Sequence, residues 1–206
     1  MFKGLAILLV LKSAPPVAAV RTGVLALGML APAPAAGQSR VVSARAGLVT
    51  GVEGEVLYHC HEKGEGVDRL RPGVQLHDGD RVFTPKGARV TWALNPGSYI
   101  TASADSAVRV YDGSLGAMHF DLERGEAVVV VRSLRNGAAL TMHAPPGLIT
   151  VRKAGRYLFR VEEDGETEAS VGEGELRYHE KGKEVSLGKG RKVTFRRTGK
   201  SVEHEQ

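Results

Sequence analysis

LRPGVQLHDGDRVFTPKGARVTWAL, residues 70–94, is the stretch that decides the fold. Gly73 and Gly79 each follow a proline or a polar residue and precede an apolar or polar run. The backbone is therefore asked to turn, run briefly, turn again and extend. In Asp80–Thr84 and Ala88–Leu94 the β-branched and aromatic residues, bounded by Pro85 and Gly87, read as two strands. Asp78 and Asp80 flank Gly79, where a carboxylate shapes a turn by accepting backbone N–H groups.

Working outward, the chain has 206 residues, of which 42% are hydrophobic, enough to bury a core. Its 26 glycines recur at turn-like intervals, which suits many short strands rather than a few long helices. The formal charge of +5 comes mostly from Lys3, Lys12 and Arg21; the rest of the chain is nearly neutral, with no general footprint for nucleic acid.

Residues 1–37 read as a targeting segment. The apolar runs Leu5–Leu11 and Val24–Leu30 are separated by Lys12, Pro15, Pro16 and Arg21, and each is shorter than the roughly 18 residues that span a bilayer. Arg21, the run that follows it and the small residues Ala31–Gly37 give the layout of a secretory signal peptide preceded by an overlong N-terminus. An uncleaved anchor is the rival reading. Residues 38–45 form a short linker, 46–196 one β domain and 197–206 a basic and polar tail. Cys60 stands alone, so no internal disulfide forms; it reads as a small buried hydrophobe.

From Arg45 to Arg196, apolar alternation recurs every eight to ten residues between glycine, serine and aspartate turns, and no 3.6-residue period persists. The expectation is an all-β fold: a single domain of about 13 to 15 short strands in a sandwich or roll. VEGEVLYH at 52–59 is echoed by GEGELRYH at 172–179, and a Glu-Lys-Gly follows both. The echo suggests two related halves, a similar hairpin near each end, and end strands that meet in one sheet. The expected core includes Leu76, Val82, Phe83, Val90, Trp92, Val108, Val110, Val128, Val130, Ile149, Leu158 and Val171.

The order of GLVTGVEGEVLYH, LRPGVQLHDGDRVFT, SAVRVY, LERGEAVVVV, HAPPGLITVR, YLFRV, SVGEGELRY and VSLGKGRKVTF resembles the periplasmic domain of FecR-like proteins, from Arg45 to about Phe195. The resemblance implies a β-sandwich or roll outside the cytoplasmic membrane. Its better understood members are sensors that join an outer-membrane receptor to a sigma-factor system. Nothing in this chain corresponds to their cytoplasmic regulator domain, so it resembles the free-standing secreted form. Where the family follows its Pro-Gly turn and strand with an Arg-Gly-Thr step, this chain has Val151-Arg152-Lys153-Ala154-Gly155-Arg156-Tyr157.

Candidate chemistry is sparse. His59 and His61 would share one face of a strand and could share a metal, but zinc needs a third ligand, for which His77, His119, His143 and His179 are unplaced candidates. No Gly-x-Ser-x-Gly elbow is present, and the Gly-x-Gly turns lack the helix that a phosphate loop requires. Lys189 to Lys200 is basic, with Arg196, Arg197 and Lys200 the candidates for an anionic surface. The sequence thus favours a non-catalytic module that binds an envelope or membrane protein through loops or an open strand edge, with no cofactor. An envelope glycan or anionic-surface binder is the alternative, and a metal-dependent cupin-like enzyme the second.

Overall fold

The computed structural model describes residues 46–64, 66–134, 138–144, 147–180, 183–196 and 202–203. The signal-like segment 1–37, the linker 38–45, Arg197 and Lys200 lie outside the described residues. Sixteen strands are described, a little above the expected number. The first seven are β1 (Leu48–Glu53), β2 (Leu57–His59), β3 (Asp68–Arg69), β4 (Arg81–Thr84), β5 (Arg89–Asn95), β6 (Ser98–Ala102) and β7 (Ser106–Asp112). The long β8 (Ala117–Val131) stands at the centre. After it come β9 (Ala139–Ala144), β10 (Gly147–Val151), β11 (Gly155–Val161), β12 (Thr167–Glu173), β13 (Glu175–Glu180), β14 (Lys183–Gly188), β15 (Lys192–Phe195) and β16 (Val202–Glu203). A 3-10 turn, His61–Lys63, follows β2.

Two sheets face each other and share β8. The first runs β1-β5-β6-β8-β11-β12-β15-β16 and the second β3-β2-β4-β7-β8-β9-β10-β13-β14. All pairings are antiparallel except β8 with β9, which is parallel. The inward side chains form one core; Trp92 of the first sheet meets Phe120 of the second at 6.1 Å between ring centroids, and Tyr178 meets the edge of Phe195 at 5.1 Å.

β8 belongs to both sheets because it bends at Gly125. Met118, Phe120 and Leu122 point into the core from one side of the bend, and Ala127, Val129 and Val131 from the other. The buried set therefore changes from even to odd numbers, which takes one extra residue, a β-bulge. The pairing with β7 slips from Val108↔Leu122 to Ala107↔Arg124, so the extra residue lies between Leu122 and Arg124; Gly125 takes the bend beside it at φ 84°, where a Cβ would lie 2.4 Å from Ser106 Oγ. What reads in sequence as two strands around a turn, 118–122 and 126–132, is one strand of 15 residues.

Each echoed segment opens on a corner between the sheets and runs on into an antiparallel strand pair, β2 with β3 and β13 with β14. Glu53-Gly54-Glu55 carries the chain from β1 in the first sheet to β2 in the second, and Glu173-Gly174-Glu175 carries it from β12 to β13 in the same sense. The end strands do not meet: β1 and β15 lie toward opposite ends of the first sheet.

Of the expected core, Leu76, Val82, Val90, Trp92, Val108, Val110, Ile149 and Val171 are buried. Phe83, Val128, Val130 and Leu158 are only half-buried and stand on the outer faces. The inward places belong to Val129, Val131, Tyr157 and Phe159, one residue away. A one-residue slip in register exchanges the faces, and in an all-apolar run such as Val128–Val131 alternation gives no phase.

Candidate interaction surface

Sheet edges decide what an all-β domain can recruit, because an unpaired edge presents backbone donors and acceptors to any extended segment. The edge at β1 is covered. Val49 N–H donates to Val74 O at 2.9 Å, Gly73 N–H donates to Val49 O at 2.8 Å, and Leu48 bridges to Gln75. At the other end of the first sheet β16 pairs with β15. In the second sheet β3 is two residues long.

β14 is different. It pairs with β13 over six residues without a register shift, from Glu175↔Gly188 to Glu180↔Lys183, and among the described residues no strand pairs with its other side. It contains no proline. Leu187 on its inner face is buried and Val185 is half-buried against the core. An added strand with apolar residues at alternate positions would extend that core.

The outer face of the β13–β14 hairpin is tied down by ion pairs. Glu175 accepts from Lys153 Nζ at 2.5 Å and Arg177 Nε at 3.3 Å, and Arg177 Nη1 reaches Glu184 at 3.2 Å. The hydrogen bond from Lys153, then that from Arg177, holds the Glu175 carboxyl below the usual range. Beneath it, the buried Tyr157 hydroxyl accepts from Glu175 N–H at 3.1 Å and donates to Lys153 O at 2.9 Å. Burial raises the pKa of this phenol, keeping it a neutral donor. The hairpin is thus anchored at its base while its far edge is open.

The other candidates fall elsewhere. His59 ends β2, and His61 opens the 3-10 turn, so strand alternation does not carry from one to the other. His61 N–H donates to Asp80 Oδ1 at 2.8 Å, and His77 N–H to Asp80 Oδ2 at 2.9 Å; Gly113 N–H donates to Asp78 Oδ1 at 2.9 Å. Asp80 therefore shapes the turn around Gly79 by accepting from His77, and Asp78 ties that turn to the loop after β7. Among the described residues no three or more His, Cys, Asp or Glu side chains are grouped to hold a metal ion. Arg196 forms an ion pair with Glu166 at 2.6 Å. Cys60 is half-buried against the core.

Sequence reasoning did not foresee a histidine pair on neighbouring strands of the second sheet. The His119 ring on β8 stacks on Tyr111 at 4.9 Å. On β9, His143 Nδ1 lies 3.1 Å from Asp121 Oδ1. Burial, and next the neighbouring His143, push the His119 pKa below its ordinary 6.5, against a smaller opposing pull from Asp121 and Asp112. Parallel pairing of β8 with β9 makes these residues neighbours, and that pairing has no local signal in sequence. A separate cleft of about 620 Å³ beside the β8 bend is lined by Asp105, Arg124, Glu162, Glu163 and Asp164.

Residues 80–177 match the model of the FecR protein family. Two crystal structures of a candidate anti-sigma factor from Parabacteroides distasonis, at 2.50 and 1.65 Å resolution, superimpose with TM-scores of 0.52 and 0.53 at 16% and 15% identity. Each comparison covers 61% of this chain and 58% of the other. At such identity the likeness is one of fold, and the chain spans less than two thirds of the length of those structures. No curated protein matches it. The matched region runs from the turn that Asp80 shapes to β13, taking in the bent β8 that joins the sheets, so this part of the chain is FecR-like.

Proposed function

We propose that this protein is a non-catalytic protein-interaction module of the cell envelope, acting in signalling beyond the cytoplasmic membrane and capturing an extended segment of a partner protein at β14. The observation that carries the reading is the open six-residue edge of β14, with Val185 half-buried beside it. The match of residues 80–177 to the FecR family model and the fold shared with a candidate anti-sigma factor support a role in envelope signalling. Export is supported by the signal-like order of charge, apolar run and small residues in 1–37.

The test is capture from envelope extract on the immobilised protein, washed at low and at high salt. Strand addition rests on backbone hydrogen bonds and apolar contact, which salt screens little, so a defined protein remains after the high-salt wash. Material lost as salt rises, with no protein enriched, would count against the module and favour an anionic surface as the ligand.

A further inference from the structure

Across five strands of the second sheet, register lines up His59, Arg81, Arg109, Asp121 and His143 on the outer face, each opposite the next. Arginines at directly opposed positions repel each other and cost stability. Among the described residues Asp121 forms no ion pair with either; its Oδ1 lies 3.1 Å from His143 Nδ1. The partner that both arginines find is Glu123, the extra residue of the β8 bulge, which the bulge re-aims onto this face.

One carboxylate shared by two guanidiniums leaves a positive charge over. Glu123 also lies deeper than the groups it holds: its side chain is 21% exposed, against 39% for Arg81 and 37% for Arg109. Each guanidinium gives an Nη2 donor to Glu123, and the Nε–H of each is shut off from water and meets no acceptor. What is left for an outside acceptor is the remaining Nη N–H groups of both forks, above Glu123. The Phe83 ring, its centroid 5.3 Å from the Arg81 guanidinium carbon, steadies that fork. On the other side of Arg81 stands His59, whose ring has no ion pair or hydrogen bond among the described residues.

We infer that Arg81 and Arg109 together bind a phosphate group on the outer face of the second sheet, with His59 at its rim. A phosphate monoester brings nearly two negative charges and a tetrahedral set of oxygens, so it meets a fork from each arginine at once. A carboxylate offers a single charge, and that part is already taken by Glu123. Binding also offsets the repulsion between the opposed arginines. The site is half open to water and therefore weak, with half-saturation by the free anion at roughly 1–10 mM. A small phosphate ester and the headgroup of a lipid present the same chemistry to it. This site is independent of β14 and of the proposed signalling role.

The experiment titrates the purified protein with inorganic phosphate at constant ionic strength and follows the Nε–H signals of Arg81 and Arg109 by NMR. Their burial slows exchange with water and keeps them visible. Both signals are expected to shift and saturate. Arg109→Gln, read at Arg81, weakens binding by roughly tenfold or more, whereas Arg156→Gln on β11 of the first sheet leaves it unchanged. Glu123→Gln, which removes the competing carboxylate, tightens it. If Arg109→Gln melts early, Arg81→Lys, read at Arg109, keeps the charge, loses the fork and also binds more weakly. A second arm pellets the protein with phosphatidylcholine vesicles, with and without phosphatidic acid. Pelleting that needs phosphatidic acid and is lost in Arg109→Gln assigns the phosphate to a lipid; saturation by free phosphate without that dependence assigns it to a soluble ester. Shifts that do not saturate, or saturation that persists unchanged in Arg109→Gln and Arg81→Lys, overturn the inference.

Discussion

Trp92 is fully buried between the sheets, with Val49 and Ile100 as its register neighbours and Phe120 across the core. Trp92→Ala leaves a cavity that the facing sheets close only in part, and the loss is about 3 to 5 kcal/mol in denaturant unfolding. An unchanged midpoint would show that the core does not depend on it. His119 makes stability sensitive to acid. Its folded pKa lies below the ordinary 6.5, so well above pH 6.5 folded and unfolded chains are both uncharged there and the residue contributes no slope. As pH falls below 6.5 the unfolded chain takes up the proton first, and stability drops until pH passes the folded value. His119→Gln flattens the stability profile on the acid side of 6.5, read from melting temperatures between about pH 7 and 4.5. A profile identical to that of the parent would remove His119 as the source.

At the scale of the element, β8 and β14 matter most. Gly125→Ala in β8 forces a side chain to adopt φ near +84° and drives its Cβ into Ser106, whose hydroxyl accepts from Glu126 N–H at 2.9 Å. The expected cost is about 2 kcal/mol or more, because the neighbour is backbone as well as hydroxyl. In β14, consecutive N–H groups point to opposite sides, one toward β13 and the next toward the open edge. Of Val185→Pro and Ser186→Pro, one variant therefore breaks a bond to β13 and melts earlier. The other keeps the melting temperature of the parent and loses the envelope partner. If both variants retain the partner, the edge is not where it binds.

These elements also show how far the sequence could be read. The strands on either side of Gly87 and the turn around Gly79 were legible because proline, glycine and alternating apolar residues specify them locally. β14 falls within the alternation that runs from Arg45 to Arg196, so its existence was legible too. That it forms an edge was not, because strand order depends on pairings between segments far apart in the chain. The phase of Val128–Val131 was hidden because its outward residues are as apolar as its inward ones. In Tyr157-Leu158-Phe159 the aromatic residues, not the leucine, take the core. The pairing of His59 with His61 failed because β2 ends after three residues, where Cys60 leads into the 3-10 turn.

Over the whole molecule, the echoed segments place Gly54 at φ 75° and Gly174 at φ 93° at matching passages between the sheets. The second corner is the tighter, since a Cβ on Gly174 would lie 2.2 Å from the Tyr157 hydroxyl. That corner sets the start of β13, and β13 in turn holds β14 with its far side open. Binding by strand addition turns this open side into an interior ladder. Hydrogen exchange of the β14 amides, compared between the free protein and the protein carrying its captured partner, measures that change directly. Slowing of the outward amides between Lys183 and Gly188 by about tenfold or more, with the first-sheet strands unchanged, is the predicted result. Equal exchange along β14 with the partner bound would contradict capture at this edge.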